Sequence, residues 1–205
     1  MAHNLKSTKW LMAGLLPLLL GARQTSPRGT ALDLQPESRL WVSGTSSVRA
    51  WECKATTFSV AVESDTNAAA AVLAGDKAVN AADVVVSTER LECGNGSMNG
   101  HMRKALKAQE HALIAFRMAS YELTKSNDSL LVTIKGALTL GGTEKPIELT
   151  GLAVPAPDGA LRVAGTYALK MTEFGLNPPT LMFGRIKVHD LVKVGFDVVL
   201  KDRAE

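Results

Sequence analysis

Residues 129–154 read SLLVTIKGALTLGGTEKPIELTGLAV. In the first twelve, Leu130, Val132, Ile134, Leu138 and Leu140 recur with period two, so they share one face of an extended strand and leave Thr133 and Lys135 on the other. Gly141-Gly142-Thr143 then supplies the residues a tight turn needs, and a second extended stretch, Lys145 to Val154, follows. Strands with one apolar and one polar face belong to an antiparallel sheet whose apolar side must be covered.

The alternation continues outward from this hairpin. Leu161, Val163, Tyr167, Leu169 and Met171 form the apolar set of ALRVAGTYALKM, and Val192, Val194, Phe196, Val198 and Leu200 that of VKVGFDVVL. Arg162, Lys170, Lys193 and Asp197 fall on the opposite faces. Further strands are expected at Arg39 to Gly44, Ser46 to Trp51, Thr57 to Val62, Asp83 to Leu91 and Ile114 to Thr124, with turns at Ser126-Asn127-Asp128 and Pro157-Asp158-Gly159. Eight or more such strands, with no alternating βαβ pattern, require a sheet that closes into a barrel or folds into a sandwich.

Two stretches depart from the pattern. GNGSMNGHMRKALKAQEH (Gly94 to His111) places Met98, Met102, Ala105, Leu106 and Gln109 at helical spacing, with Ser97 or Asn99 available as a cap. It is read as a single amphipathic helix over one end of the sheet. TNAAAAVLAGDKAVNAAD (Thr66 to Asp83) is read as a short helix or a loose connection; its alanines show no clear apolar face, and it is expected to contribute little to the fold.

The amino terminus is of another kind. Lys6 and Lys9 precede the thirteen-residue run WLMAGLLPLLLGA (Trp10 to Ala22), which has the basic and apolar regions of a secretory signal. The run falls short of the roughly 20 residues that span a bilayer and contains Pro17. Residues 1–31 are assigned to a signal peptide and leader, ending at Ala22 or Ala31, and residues 32–205 to one domain in the periplasm or outside the cell. No stable membrane span is expected after cleavage.

Removing the leader takes away Lys6, Lys9, Arg23 and Arg28, leaving 19 basic against 20 acidic residues. The basic balance of the whole chain is thus no argument for a nucleic acid partner, and none is expected. Cys53 and Cys93, the two cysteines of an exported chain, are expected to form a disulfide.

Catalytic and metal-binding signatures are weak. His101 and His111 lie about 80° apart around a helix and nearly three turns apart along it, so they cannot share an ion from that helix. His189 beside Asp190 lacks a nucleophile elbow, Glu173 stands alone, and Gly94-Asn95-Gly96 lacks the rest of a phosphate loop. No metal, cofactor or enzymatic activity is expected.

The order HMRKALKA, IAFRMASYEL, GALTLGGTEKPIELT, GTYALKMTEFGL and VKVGFDVVL resembles the YceI-like family over roughly Glu37 to Leu200, most specifically in LTLGGTEKPIEL and MTEFGL. Two positions depart from the family's pattern. Glu110-His111-Ala112 stands where an aromatic-Pro pair is usual, and Met171-Thr172-Glu173 where Arg-Ser-Asp is common. The resemblance implies an exported all-β protein with one short helix, an antiparallel extended, lipocalin-like β-barrel that binds a polyisoprenoid or quinone-like chain.

The residues expected to line such a cavity are Phe58, Phe116, Met118, Ile134, Leu138, Tyr167 and Phe196, with plain core packing as the competing reading. Pro178 and Pro179 stiffen the segment before Leu181, Met182 and Phe183. That cluster is expected either to form an apolar rim that contacts the ligand or to pack against the helix. A barrel filled by its own side chains, serving as a structural or stress-related envelope module without ligand, is the alternative function.

Overall fold

The computed structural model describes residues 30–126 and 129–203, together with Met1. The run Trp10 to Ala22 and the turn residues Asn127 and Asp128 lie outside the described residues.

Among the described residues, twelve strands and two α-helices follow in chain order. They are β1 (Thr30–Leu34), β2 (Arg39–Ser46), β3 (Ala50–Ala55), β4 (Ser59–Ser64), α1 (Ala68–Ala74), β5 (Val79–Ser87) and β6 (Leu91–Glu92). Then come α2 (Gly96–Ala105), β7 (Leu113–Ser126), β8 (Ser129–Leu140), β9 (Thr143–Pro155), β10 (Leu161–Lys170), β11 (Thr180–Leu181) and β12 (Ile186–Asp202).

β4, β5, β7, β8, β9, β10 and β12 pair in sequence, and β1 bridges β12 to β4, so eight strands return on themselves as a barrel. The 17-residue β12 makes this possible. Its carboxyl end pairs with β1, from Leu32↔Asp202 to Leu34↔Leu200, while its earlier part pairs with β2 and so carries β3 and β6 alongside. The expected antiparallel, lipocalin-like barrel is therefore the observed architecture.

The hairpin of residues 129–154 forms the back wall as β8 and β9, in unbroken register from Leu130↔Ala153 to Leu140↔Thr143. Its two-residue connection puts Gly141 and Gly142 at φ 55° and 82°, values that glycine adopts without a Cβ penalty. Two core clusters mark the ends of the barrel: one around Leu130, Val132, Leu161 and Leu200, the other around Leu140, Leu169, Phe174 and Val192.

α1, a second helix in addition to α2, forms in the segment read as a short helix or a loose connection and expected to matter little. Ala68 and Ala69 are wholly buried and Val72 nearly so, in contact with the first cluster. Alanine was misread because its apolar face is small; against a crowded barrel end, small side chains are what allow close approach.

Asp202 fixes the orientation of α1 by accepting from the Ala68 and Ala69 amides at 2.8 and 3.2 Å. Tyr121 holds the exit from this segment, its hydroxyl accepting from the Ala78 and Val79 amides at 2.8 and 3.1 Å.

Boundaries move elsewhere. The strand expected at Ser46 to Trp51 is a turn, because Ser46 bonds Arg49 across it and β3 begins only at Ala50. β5 runs from Val79 to Ser87 and ends before the expected Leu91. The sheet starts at Thr30, which pairs with Ser64, two residues ahead of the expected domain boundary. α2 is shorter than the expected span, and Asn95 caps it in place of Ser97 or Asn99, accepting from the Met98 amide at 3.0 Å.

Candidate ligand-binding cavity

The inward residues of nearly every strand surround one elongated cavity of about 440 Å³. On β12 its wall runs from Val188 to Leu200, a span of roughly 40 Å along the strand at about 3.3 Å per residue. A strand tilt near 40° reduces that to roughly 30 Å along the barrel axis.

Glycine keeps the lumen open. On the inner face Trp51 pairs with Gly44, Phe116 lies diagonal to Gly136, and Phe196 lies over Gly165 and Gly151. A Cβ on Gly44 or Gly136 would sit 2.5 Å from the neighbouring ring, and one on Gly165 would sit 2.6 Å from Phe196. Each ring therefore lies flat against bare backbone instead of projecting across the barrel. A side chain at any of these glycines would tip a ring into the cavity.

The two ends differ. At one, Val72 of α1 closes the floor beside Val62, Leu161 and Leu200. At the other, the lining comes from three elements: the β2–β3 turn (Ser46, Val48, Arg49), α2 (Met98, His101, Met102) and the β11–β12 hairpin with its approach (Pro179, Leu181, Ile186). Val48 both lines the cavity and is 63% exposed, which marks the opening.

The mouth elements are tied together. The Ser47 amide donates to the Lys187 carbonyl at 2.8 Å, and the Arg49 guanidinium approaches Met98 Sδ at 3.8 Å. Cys53 and Cys93 form the disulfide, joining β3 to the segment before α2. Buried Asn99 accepts from the Cys93 amide at 2.7 Å and donates to Glu92 at 2.6 Å, which fixes α2 to the same corner.

Phe58, Phe116, Met118, Ile134, Leu138, Tyr167, Leu181 and Phe196 all lie on the cavity wall. Met182 and Phe183 do not. They occupy the tip of the β11–β12 hairpin, 66% and 108% exposed, because the turn carries them past the end of the barrel. Their exposure excludes the packing against α2 and leaves them outside the cavity wall, at its mouth.

Lining residues that sequence reading passed over include Trp51 and the α2 residues His101 and Met102. Trp51 sits in the stretch misplaced by the β2–β3 turn. Its strand phase, two positions before the inward Cys53, was the available signal.

Polar chemistry on the wall is sparse. Among the described residues Trp51 Nε1 is buried without a hydrogen-bond partner, a donor facing an apolar surrounding. Among the described residues, no group of three or more His, Cys, Asp or Glu side chains is placed to hold a metal ion. His189 Nδ1 lies 2.8 Å from Thr45 Oγ1 on the exposed surface. Thr172 donates to Asp190 from both its amide (2.9 Å) and its hydroxyl (2.6 Å), which holds that carboxyl below its ordinary range.

An antiparallel barrel around an elongated apolar interior that opens at one end defines a lipocalin-like barrel. The sequence pattern of the YceI-like domain matches residues 40–200, and the chain belongs to that family. No curated protein matches the chain.

Solved structures show the same fold. BcnA of Burkholderia cenocepacia is 15% identical over 82% of this chain and 99% of its own, with a TM-score of 0.65. A polyisoprenoid binding domain from Saccharophagus degradans, implicated in plant cell wall breakdown, is 15% identical over 85% and 99%, with a TM-score of 0.58. The Campylobacter jejuni YceI protein is 18% identical over 75% and 85%, with a TM-score of 0.55.

Proposed function

We propose that this protein is a lipid carrier: its barrel encloses one long apolar chain, a polyisoprenoid or a quinone-like lipid, and the chain enters through the mouth beside α2. The observation that carries this reading is the lumen itself, about 440 Å³, lined by aliphatic and aromatic side chains from floor to mouth. Apolar ligand sites of this kind commonly fall between about 300 and 1,000 Å³. A filled barrel without ligand would not place glycines under three of its inward rings. The unpartnered Trp51 Nε1 adds a donor for an oxygen on the chain, which favours a ligand that is not pure hydrocarbon.

Binding, not catalysis, is the role, because sequestering an apolar chain needs the lumen and no reacting group. Residues 1–31 act as the export signal and leader. Processing after Ala22 leaves β1 whole, whereas processing after Ala31 would remove its first two residues. Delivery to the periplasm or the exterior suits the Cys53–Cys93 disulfide, which persists in oxidising compartments. Among the described residues no helix is long and apolar enough to cross a membrane.

Native mass spectrometry of the purified protein, together with titration by a fluorescent polyisoprenoid, tests the reading. Saturable one-to-one binding is expected in the wild type, with loss of binding and retained folding in Val194→Trp, which fills the middle of the lumen. A stable wild-type barrel that binds no long apolar chain would reject the carrier function.

A further inference from the structure

The mouth carries a feature that the lumen does not require. Met182, Phe183 and Gly184 all have left-handed backbone, at φ 51°, 55° and 87°. That conformation is easy for glycine and disfavoured for bulky side chains, yet two large, solvent-exposed apolar residues adopt it. Asparagine and glycine, the usual residues of such turns, are absent from positions 182 and 183.

The hairpin's register explains where these side chains go. Leu181 pairs with Ile186 and both face the cavity, so the following turn projects Met182 and Phe183 beyond the mouth. Exposed Val48 lies on the neighbouring turn, which is bonded to β12 through Ser47 and Lys187. An apolar tip thus stands at the entrance to an apolar lumen.

Charge selects the surface it meets. The three mouth segments, 46–49, 96–105 and 178–188, contain Arg49, Arg103, Lys104, Arg185 and Lys187 and no acidic residue. Arg103 is paired with Glu89 at 3.2 Å. Beyond residue 31 the rest of the chain is acidic, with 14 basic against 20 acidic residues. The mouth segments therefore carry a basic excess beside the apolar tip, bordered by Asp190 and by Glu89, the partner of Arg103.

We infer that the mouth docks on an anionic lipid bilayer, with Met182 and Phe183 inserted at the interface and Arg49, Arg185 and Lys187 against the headgroups, so that a chain passes from membrane to lumen without crossing water. Apolar insertion beside a basic rim is the two-signal arrangement that gives reversible interfacial binding. A large partly aromatic tip with bare basic neighbours suits a fluid lipid surface better than a complementary protein pocket, which the strained turn would have to enter rigidly. The inference rests on the carrier reading and names where the cargo is exchanged.

The experiment is flotation of the mature protein with vesicles of phosphatidylcholine containing phosphatidylglycerol, compared with vesicles of phosphatidylcholine alone. Binding is expected to the anionic vesicles, roughly tenfold weaker to neutral ones, and weakened by salt. Met182→Asn with Phe183→Gly should lower vesicle binding about tenfold or more while folding is kept, since both replacements accept left-handed backbone.

Titration with a soluble fluorescent polyisoprenoid in the absence of vesicles separates this from the carrier function. The double variant should bind it as the wild type does. A wild type that fills its lumen yet ignores anionic vesicles overturns the docking inference and leaves the carrier reading intact, as does a double variant that floats unchanged. Flotation without any cargo binding keeps the docking surface and removes the carrier reading. Tip-dependent capture of a protein in preference to vesicles would assign the surface to a protein partner and overturn the inference.

Discussion

The two ends of the barrel are built on opposite terms. At the floor, Ala68, Ala69 and Val72 are sealed against the first core cluster, Asp202 anchors the α1 amides, and Tyr121 ties down the segment that leaves the helix. At the mouth, Phe183 and Met182 stand in solvent on strained backbone, and a disulfide fastens the corner that holds α2. The lesson is that stability and access are placed apart. Packing closes one end so that the other can stay open.

The same change made at both ends tests this most sharply. Ala69→Asp puts a charge where no water reaches, and a loss of at least about 4 kcal/mol, or failure to fold, is expected in urea denaturation. Phe183→Asp at the exposed tip should stay within about 0.5 kcal/mol of wild type. Similar losses at the two positions would erase the distinction. Replacing residues 67–76 by a Gly/Ser linker should likewise lower the melting temperature by more than about 10 °C, the reverse of what the alanine-rich sequence suggests.

Next in size is the disulfide, whose partners are 40 residues apart. The Cys53→Ala, Cys93→Ala variant should lose about 4 kcal/mol by loop-closure entropy. Hydrogen exchange should then quicken first in α2 and β6, with the floor still protected. Uniform loosening would show that the bridge supports the whole barrel and not one corner.

Asp202→Ala probes the floor more gently. Loss of two bonds to the α1 amides should cost about 1–2 kcal/mol. Proteolysis should then favour cleavage between residues 66 and 78.

The smallest effect belongs to acid titration, since one partly exposed carboxyl at each end is held below its ordinary range. Asp190 is held by Thr172 at the mouth, and Asp33 by Arg203 at the floor. A carboxyl whose folded pKa is depressed stabilises the protein fully above its unfolded value, and that contribution fades as pH falls through the folded one. The melting temperature should therefore fall slightly below about pH 4. Asp190→Asn and Asp33→Asn should each remove part of that slope, and a wild-type melting temperature that is flat down to pH 3 would show that neither contact contributes.

Much of the architecture was written in local pattern. Leu130 to Leu140 and Val192 to Leu200 announce one-sided strands because side chains alternate across a sheet whatever the sheet later does. Gly141 and Gly142 mark their own turn, and Cys53 and Cys93 have no other partner in the chain. Family membership followed from the order of such segments.

Tertiary structure decided what the pattern leaves undetermined. A period-two strand says which residues face inward but not whether they meet in the middle; that depends on Gly44, Gly136 and Gly165 falling beneath rings from adjacent strands. The value of Ala68 and Ala69 depends on the barrel end they fit, which lies 130 or more residues away at Asp202. Leu181 and Phe183 are two positions apart and would share a face in a continuous strand. A left-handed turn sends one toward the lumen and the other into solvent, because backbone dihedrals at a turn break the alternation that a strand enforces.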